Sequence, residues 1–223
     1  MALILHLETA TRICSVSLAE NNSLLNVIDL DEGSFAHGER LTLLIEEVLE
    51  KCGRSLRELN AISVSSGPGS YTGLRIGVST AKGLCYALSI PLIAVNTLSG
   101  MVALAREKHP GKRVCAMIDA RRMEVYSLLV DSDGQVLKPV SADVLDETSY
   151  AEFDAFVCVG DGAAKCVELW NQRSLDFDLD FQPSAQAQVR LAYDKWVNGE
   201  FEDLAYFEPN YVKPFYQAPP KQK

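Results

Sequence analysis

An α/β fold of two related lobes, each a mixed sheet flanked by helices, is what this sequence predicts, and three observations carry that expectation. Short apolar runs with strand spacing open the chain, and segments of strand and helix type then alternate. The pattern restarts about halfway. Glu8 and Asp119, each closing an apolar run, stand 111 positions apart, and the turn acids Glu20 and Asp131 have the same spacing. With 223 residues, 48% of them hydrophobic, the chain can fill one large core or two small ones. The order of elements places the lobes at 1–109 and 110–223, the last residues packing back on the first lobe.

The first unit begins with strands at Leu3 to Glu8, Ile13 to Glu20 and Leu24 to Asp31, with Thr11-Arg12 and Asn21-Asn22 at the turns. A helix from His37 to Cys52 follows; Leu41, Leu44, Ile45, Val48, Leu49 and Cys52 fall on one stripe, and Gly53 ends it. Ala61 to Ser66 reads as a buried strand. It leads through a glycine-rich loop into a helix from Tyr71 to Ser89, a strand at Pro91 to Asn96 and a helix at Leu98 to Lys108. The second unit repeats the opening with strands at Arg113 to Asp119 and Met123 to Val130 around the turn Asp131-Ser132-Asp133-Gly134. A strand at Phe156 to Val159, a Gly160-Asp161-Gly162 turn and a helix at Ala163 to Asn171 come next. The last helix starts near Ser184, an N-cap, and stops at Gly199.

Composition narrows the function. No apolar run is long enough for a membrane span, and the N-terminus lacks the basic start of a secretory signal. The six cysteines form no CxxC pair and sit mostly in apolar patterns, which fits a reducing cytoplasm. A net charge of −9 argues against binding nucleic acid alone, because such binding needs a basic surface that releases counterions. No dense run of lysine and arginine appears, and the nearest candidates, Arg121-Arg122 and the tail from Lys213 to Lys223, are thin.

The loop Gly67-Pro68-Gly69-Ser70-Tyr71-Thr72-Gly73 invites a phosphate-binding reading, but its spacing matches neither known glycine motif. A P-loop requires a lysine where Leu74 stands, and the dinucleotide fingerprint is one residue shorter and follows the first strand. A tight turn capped by Ser70 explains the glycines better. On the helix it starts, Leu74, Gly77, Val78, Ala81, Cys85 and Leu88 form a core face. Ile76, Thr80, Gly83 and Ala87 form a second stripe of mostly small residues, leaving Arg75, Ser79, Lys82 and Tyr86 as a polar edge. The second stripe suits either another element of the lobe or a partner's backbone. The lobe has few helices to spare, which favours a partner. Three scattered histidines give no metal set. Glu8 and Asp119 fit a magnesium or acid–base pair, or acids satisfied within their own turns, with Arg121 and Arg122 as neighbouring partners.

Lobes of this order resemble the duplicated ribonuclease-H-like fold of actin, sugar kinases and Hsp70-type ATPases. That resemblance implies a central cleft between the two first turns, with Glu8 and Asp119 as vestigial cleft residues. The stretches LETATRICSVSLAE, SSGPGSYTGLRIGVSTAKGL, IPLIAVNTLSGMVALA and AMIDARRMEVY further resemble the bacterial TsaB (YeaZ) family, glycoprotease-like proteins of tRNA threonylcarbamoyladenosine synthesis. The resemblance implies a subunit without catalytic, cofactor or metal residues of its own. It would act through a TsaD-like catalytic paralogue that moves threonylcarbamoyl from its adenylate to N6 of adenosine 37 of tRNA, with a TsaE-like ATPase assisting. Thr97 and Met101 stand where TsaD carries its metal histidines, and Glu8 stands where an aspartate is usual. The implied partner face comprises Thr42, Ile45 and Leu49 with Ile76, Thr80, Gly83 and Ala87. The tRNA would be met only through the complex, and a homodimer is the alternative assembly when the chain is alone. Rival readings are a small-molecule kinase or ATPase of the actin-like fold and a metal-dependent glycoprotease.

Overall fold

The computed structural model of the protein describes residues 1–31, 37–153 and 155–213. The basic tail beyond Lys213 lies outside them. Strands β1 (Leu3–Glu8), β2 (Cys14–Glu20), β3 (Ser23–Leu30), β4 (Ala61–Ser65) and β5 (Leu92–Val95) form one sheet in the order β3-β2-β1-β4-β5. Strands β6 (Val114–Asp119), β7 (Glu124–Val130), β8 (Val136–Val144), β9 (Val157–Val159) and β10 (Asp176–Asp178) form a second in the order β10-β9-β6-β7-β8. Each sheet has its first strand in the centre. The first three strands are antiparallel and the last two join in parallel. The repeat read at 111 positions is thus a repeat of topology, and each lobe has the ribonuclease-H-like arrangement.

The helices are α1 (His37–Lys51), α2 (Tyr71–Leu88), α3 (Thr97–Lys108), α4 (Cys166–Leu169) and α5 (Val189–Asn198). Alternation along β1 divides the first sheet into two faces. Leu3, Leu5 and Leu7 meet α1 and α2, whereas Ala2 and Ile4 meet α5 through Ala192. Packing divides the chain differently from the order of elements. Helix α3, expected to complete the first unit, lays Leu98, Met101, Val102 and Ala105 on Ala116, Ile118, Leu128 and Val130 of the second sheet. The last helix covers the first sheet instead, so each sheet is closed by a helix from the other half of the sequence. No helix among the described residues is long and apolar enough to cross a membrane.

Two strands and one helix differ from expectation for local reasons. β8 is an edge strand containing Pro139, which breaks the usual strand pattern but is tolerated where no inner neighbour needs its N–H. β10 is only three residues long. The helix expected at Ala163 to Asn171 is a 3₁₀ turn (Asp161–Lys165) followed by the single turn of α4.

The glycine-rich loop is explained by close packing. Ser70 caps α2 by accepting the Gly73 N–H (3.2 Å), and its own N–H donates to Ala10 O (2.6 Å). A Cβ on Gly69 would run into Ala10 O, one on Gly73 into Thr9 O and one on Gly77 into Thr9 Oγ1. Gly67, at φ +99°, has Asn210 O in the same relation. The glycines admit the β1–β2 turn and the C-terminal segment where a phosphate would otherwise sit. Gly83 is different, because a Cβ there meets nothing within 4 Å. Gly83→Ala should therefore stabilise the protein by about 1 kcal/mol through helix propensity, whereas Gly73→Ala should destabilise it by about 1–3 kcal/mol through overpacking. Denaturant melts of the two variants check the contrast, and equal effects would refute it.

Candidate functional site

The face of β1 away from α1 and α2 is polar toward its end. His6 lies in register with Ser17 and Ser63, and Glu8 with Ser15. All five are buried. A 3₁₀ turn, Ala185–Gln188, covers them. The Ala185 N–H donates to Ser15 Oγ (2.8 Å), Ser63 Oγ donates to Gln188 Oε1 (2.6 Å), and Gln188 Nε2 donates to Leu7 O (2.8 Å). The crevice bounded by Glu8, Thr97, Gly100 and Met101 on one side and Ser184, Ala187 and Gln188 on the other has no room for a water-sized sphere. The Glu8 side of the expected cleft is thus closed by the protein's own chain.

Glu8 and Asp119 do not act as a pair. Glu8 is 4% exposed and accepts the Ala10 N–H (2.7 Å), with Ser65 and Gln188 also bonded to it. Burial pushes its carboxyl up to about 7 despite those bonds. Asp119 is exposed and binds Lys165 Nζ (2.7 Å) and the backbone N–H of Arg121 (2.5 Å). The cation beside Asp119 is thus Lys165, not an arginine side chain. Arg121 (φ +71°) and Arg122 (φ +50°) both occupy the left-handed region, at a cost of about 1 kcal/mol each.

Thr97 is buried at the first turn of α3, where Asn96 caps the helix by accepting the Ser99 N–H (3.0 Å). Met101 is packed in the second core. A hydroxyl and a thioether thus occupy these positions, and neither replaces an imidazole on a hard or borderline metal. Among the described residues no three His, Cys, Asp or Glu side chains converge as a metal set.

The expected partner face divides in two. Ile45 and Leu49 are buried in the first core, because α1 turns them onto the sheet. They are corrected to core residues. Thr42, Gly83 and Ala87 are exposed, and Ile76 and Thr80 are half-buried. Leu43 and Tyr86 are exposed large side chains on the same two helices, at 51% and 81%. The polar edge of α2 is also occupied. Lys82 Nζ donates to the carbonyls of Ala205 (3.3 Å) and Phe207 (3.1 Å), and Arg75 Nε donates to Tyr211 Oη (3.2 Å). A C-terminal strap, residues 200–213, therefore runs along α2 beside the small-residue stripe. Its Asn210 N–H reaches Ser66 O (2.7 Å).

A family model described as "TsaD: tRNA N6-adenosine threonylcarbamoyltransferase" matches residues 31–206. Over 223 residues the chain is 30% identical to the tRNA threonylcarbamoyladenosine biosynthesis protein TsaB of Escherichia coli (strain K12), covering 94% of each. The chain belongs to the TsaB family. It is also 36% identical to the TsaB of Haemophilus influenzae over 123 residues, 55% of this chain and 51% of that protein. YeaZ from Pseudomonas aeruginosa superposes with a TM-score of 0.78 at 31% identity, over 95% of this chain and all of that one.

Gln188, Ala185 and the strap were not legible as parts of this TsaB site. A glutamine and backbone groups carry no motif, and only the fold brings Gln188 and Ala185 back 125 to 181 positions to β1, β2 and β4.

Glu8 and His6 set a pH dependence. His6 is held at about 3 by burial, and neither ring nitrogen has a partner among the described residues. Glu8 is raised in the fold, so the stability it permits at low pH is lost as pH climbs from about 4.5 through about 7. His6 is depressed, so its share is present above 6.5 and lost as pH falls toward 3. Glu8→Gln should raise the melting temperature at pH 8 and leave it nearly unchanged at pH 4.5, the gain at pH 8 being up to about 3 kcal/mol. An equal gain at both pH values would contradict the buried-acid account.

Proposed function

We propose that this chain is the docking subunit, without catalytic groups of its own, of a tRNA threonylcarbamoyltransferase. It serves the transfer of the threonylcarbamoyl group from threonylcarbamoyl-AMP to N6 of the adenosine at position 37. It does so by binding a TsaD-like catalytic paralogue, with a TsaE-like ATPase assisting. The filled crevice is the observation that carries this reading. Where an active relative needs room for a nucleotide and ligands for a metal, this chain places Gln188, Thr97 and Met101. Transfer chemistry then has to come from the partner, and what remains available here is surface. Thr42, Thr80, Gly83 and Ala87 offer small side chains beside Ile76 on two adjacent helices, which lets another helix approach closely.

Gly83→Leu tests the docking role. The monomer has open space at Gly83 and leucine is the better helix former, so the variant should fold with a melting temperature no lower than that of the parent chain. Across an interface the added bulk should cost about 1–3 kcal/mol, roughly 5- to 150-fold in affinity for the TsaD-like partner. tRNA modification in a reconstituted mixture should fall in parallel. Ser79→Ala, on the exposed polar edge, is the control. Lys82→Ala is unsuitable because Lys82 anchors the strap. Normal partner affinity for Gly83→Leu would remove the stripe from the interface, and threonylcarbamoyl transfer by the isolated chain would overturn the non-catalytic reading.

A further inference from the structure

One end of this acidic protein carries arginines that form no ion pair among the described residues. At the first turn of α2, Arg75 lies 4.0 Å from the centroid of the Tyr71 ring, and the Tyr211 ring is 4.7 Å from that of Tyr71. Two residues further along the strap, Lys213 pairs with Glu124 (2.5 Å) and lies over the Tyr126 ring. Glu124 opens β7, so the strap leads directly to the β6–β7 turn, where Arg121 and Arg122 stand exposed. Of the nearby acids, Asp119 is used by Lys165 and Glu124 by Lys213, Asp161 accepts the Asp119 N–H, and Glu208 attracts Arg75 without forming an ion pair with it. Among the described residues neither Arg121 nor Arg122 has a side-chain hydrogen bond or ion pair, and Arg75 has no ion pair.

The backbone adds a second observation. Two consecutive arginines are held at positive φ, where asparagine or glycine would be unstrained. The Asp119 carboxylate fixes the first of them through its N–H. This turn keeps charge at the expense of local stability, as sites with a binding role do.

We propose that Arg75, Arg121 and Arg122 form a contact for an RNA phosphodiester backbone in the assembled complex, an inference that rests on the tRNA-modification reading above. A planar guanidinium fork matches phosphate oxygens two at a time, and the three forks are spread across α2 and the β6–β7 turn. Arg75 adjoins Ile76 of the docking stripe, so the partner and the RNA would lie side by side. A chain of net charge −9 cannot hold RNA with three arginines, but it adds these contacts once a partner supplies the rest.

The test uses the complex of the full chain with its TsaD-like partner and an unmodified tRNA transcript, titrated over a series of salt concentrations. Arg121→Asn combined with Arg122→Gly removes both charges and relieves the backbone, so its melting temperature should not fall. The plot of log affinity against log salt should become shallower by about 2, with roughly 10-fold or greater loss of tRNA affinity at physiological salt. Affinity for the protein partner should not change. Arg121→Gln with Arg122→Gln leaves the backbone preference unaltered and should give the same slope. An unchanged slope in both variants overturns the proposal while leaving the docking role intact. Loss of partner affinity instead would assign the arginines to an acidic protein surface and also overturn it. If the unaltered chain forms no complex, the docking role fails and this proposal falls with it.

Discussion

The backbone of Thr9 and Ala10 presses against Gly69, Gly73 and Gly77, and the rest of the molecule is arranged around that contact. Only glycine allows it, because any Cβ at those positions would overlap a carbonyl or hydroxyl oxygen of the turn. The contact holds the β1–β2 turn under the start of α2 and uses the Ser70 N–H on Ala10 O. A phosphate-binding loop needs such N–H groups free and facing open space. The same glycines that suggest a nucleotide site therefore exclude one here. They also fix the direction in which α2 leaves the sheet, and with it the orientation of the Ile76, Thr80, Gly83 and Ala87 stripe.

Filling the crevice and presenting a face are two results of one rearrangement of the chain. Helix α3 is given to the second sheet, and the C-terminal segment returns to the first, bringing Ala185 onto β2 and Gln188 onto β1 and β4. Continuing past α5, the strap reaches the glycine loop at Asn210 and the second lobe at Lys213. The returning segment thus ties both lobes and α2 into one unit. A protein that must close on a nucleotide needs its lobes free to move, whereas a docking subunit benefits from a rigid helix face.

The strands of the first sheet, the repeat and α2 with its Ser70 cap were legible in the sequence, because period-2 and period-3.6 apolar patterns and turn chemistry determine them locally. Ile45 and Leu49 were misassigned to the partner face because a helical stripe shows amphipathicity but not which of two neighbours it meets. The place of α3 was hidden for the same reason: its stripe of Leu98, Met101, Val102 and Ala105 fits either sheet equally well. Lys82 and Arg75 read as a solvated edge, and only the returning strap reveals them as anchors. Long-range placement of a segment without periodic pattern is what local rules do not encode.

Where local rules are broken, they are broken near the junction of the lobes. His6 and Glu8 are ionisable groups buried against the sheet's own preference; Glu8 costs stability as pH climbs from about 4.5 through about 7, and His6 as pH falls below 6.5. Arg121 and Arg122 take a backbone region that favours glycine. A sequence under selection for stability alone would replace all four, since departures of this kind normally survive only where something other than the fold requires them. Glu8 and His6 lie beneath the filled crevice, so their persistence bears on how the plug at Gln188 is seated. Arg121 and Arg122 lie at the surface and, among the described residues, hold no other part of the chain through side-chain hydrogen bonds or ion pairs. Their strain therefore contributes nothing to the isolated molecule, and its justification has to be sought in what the molecule binds.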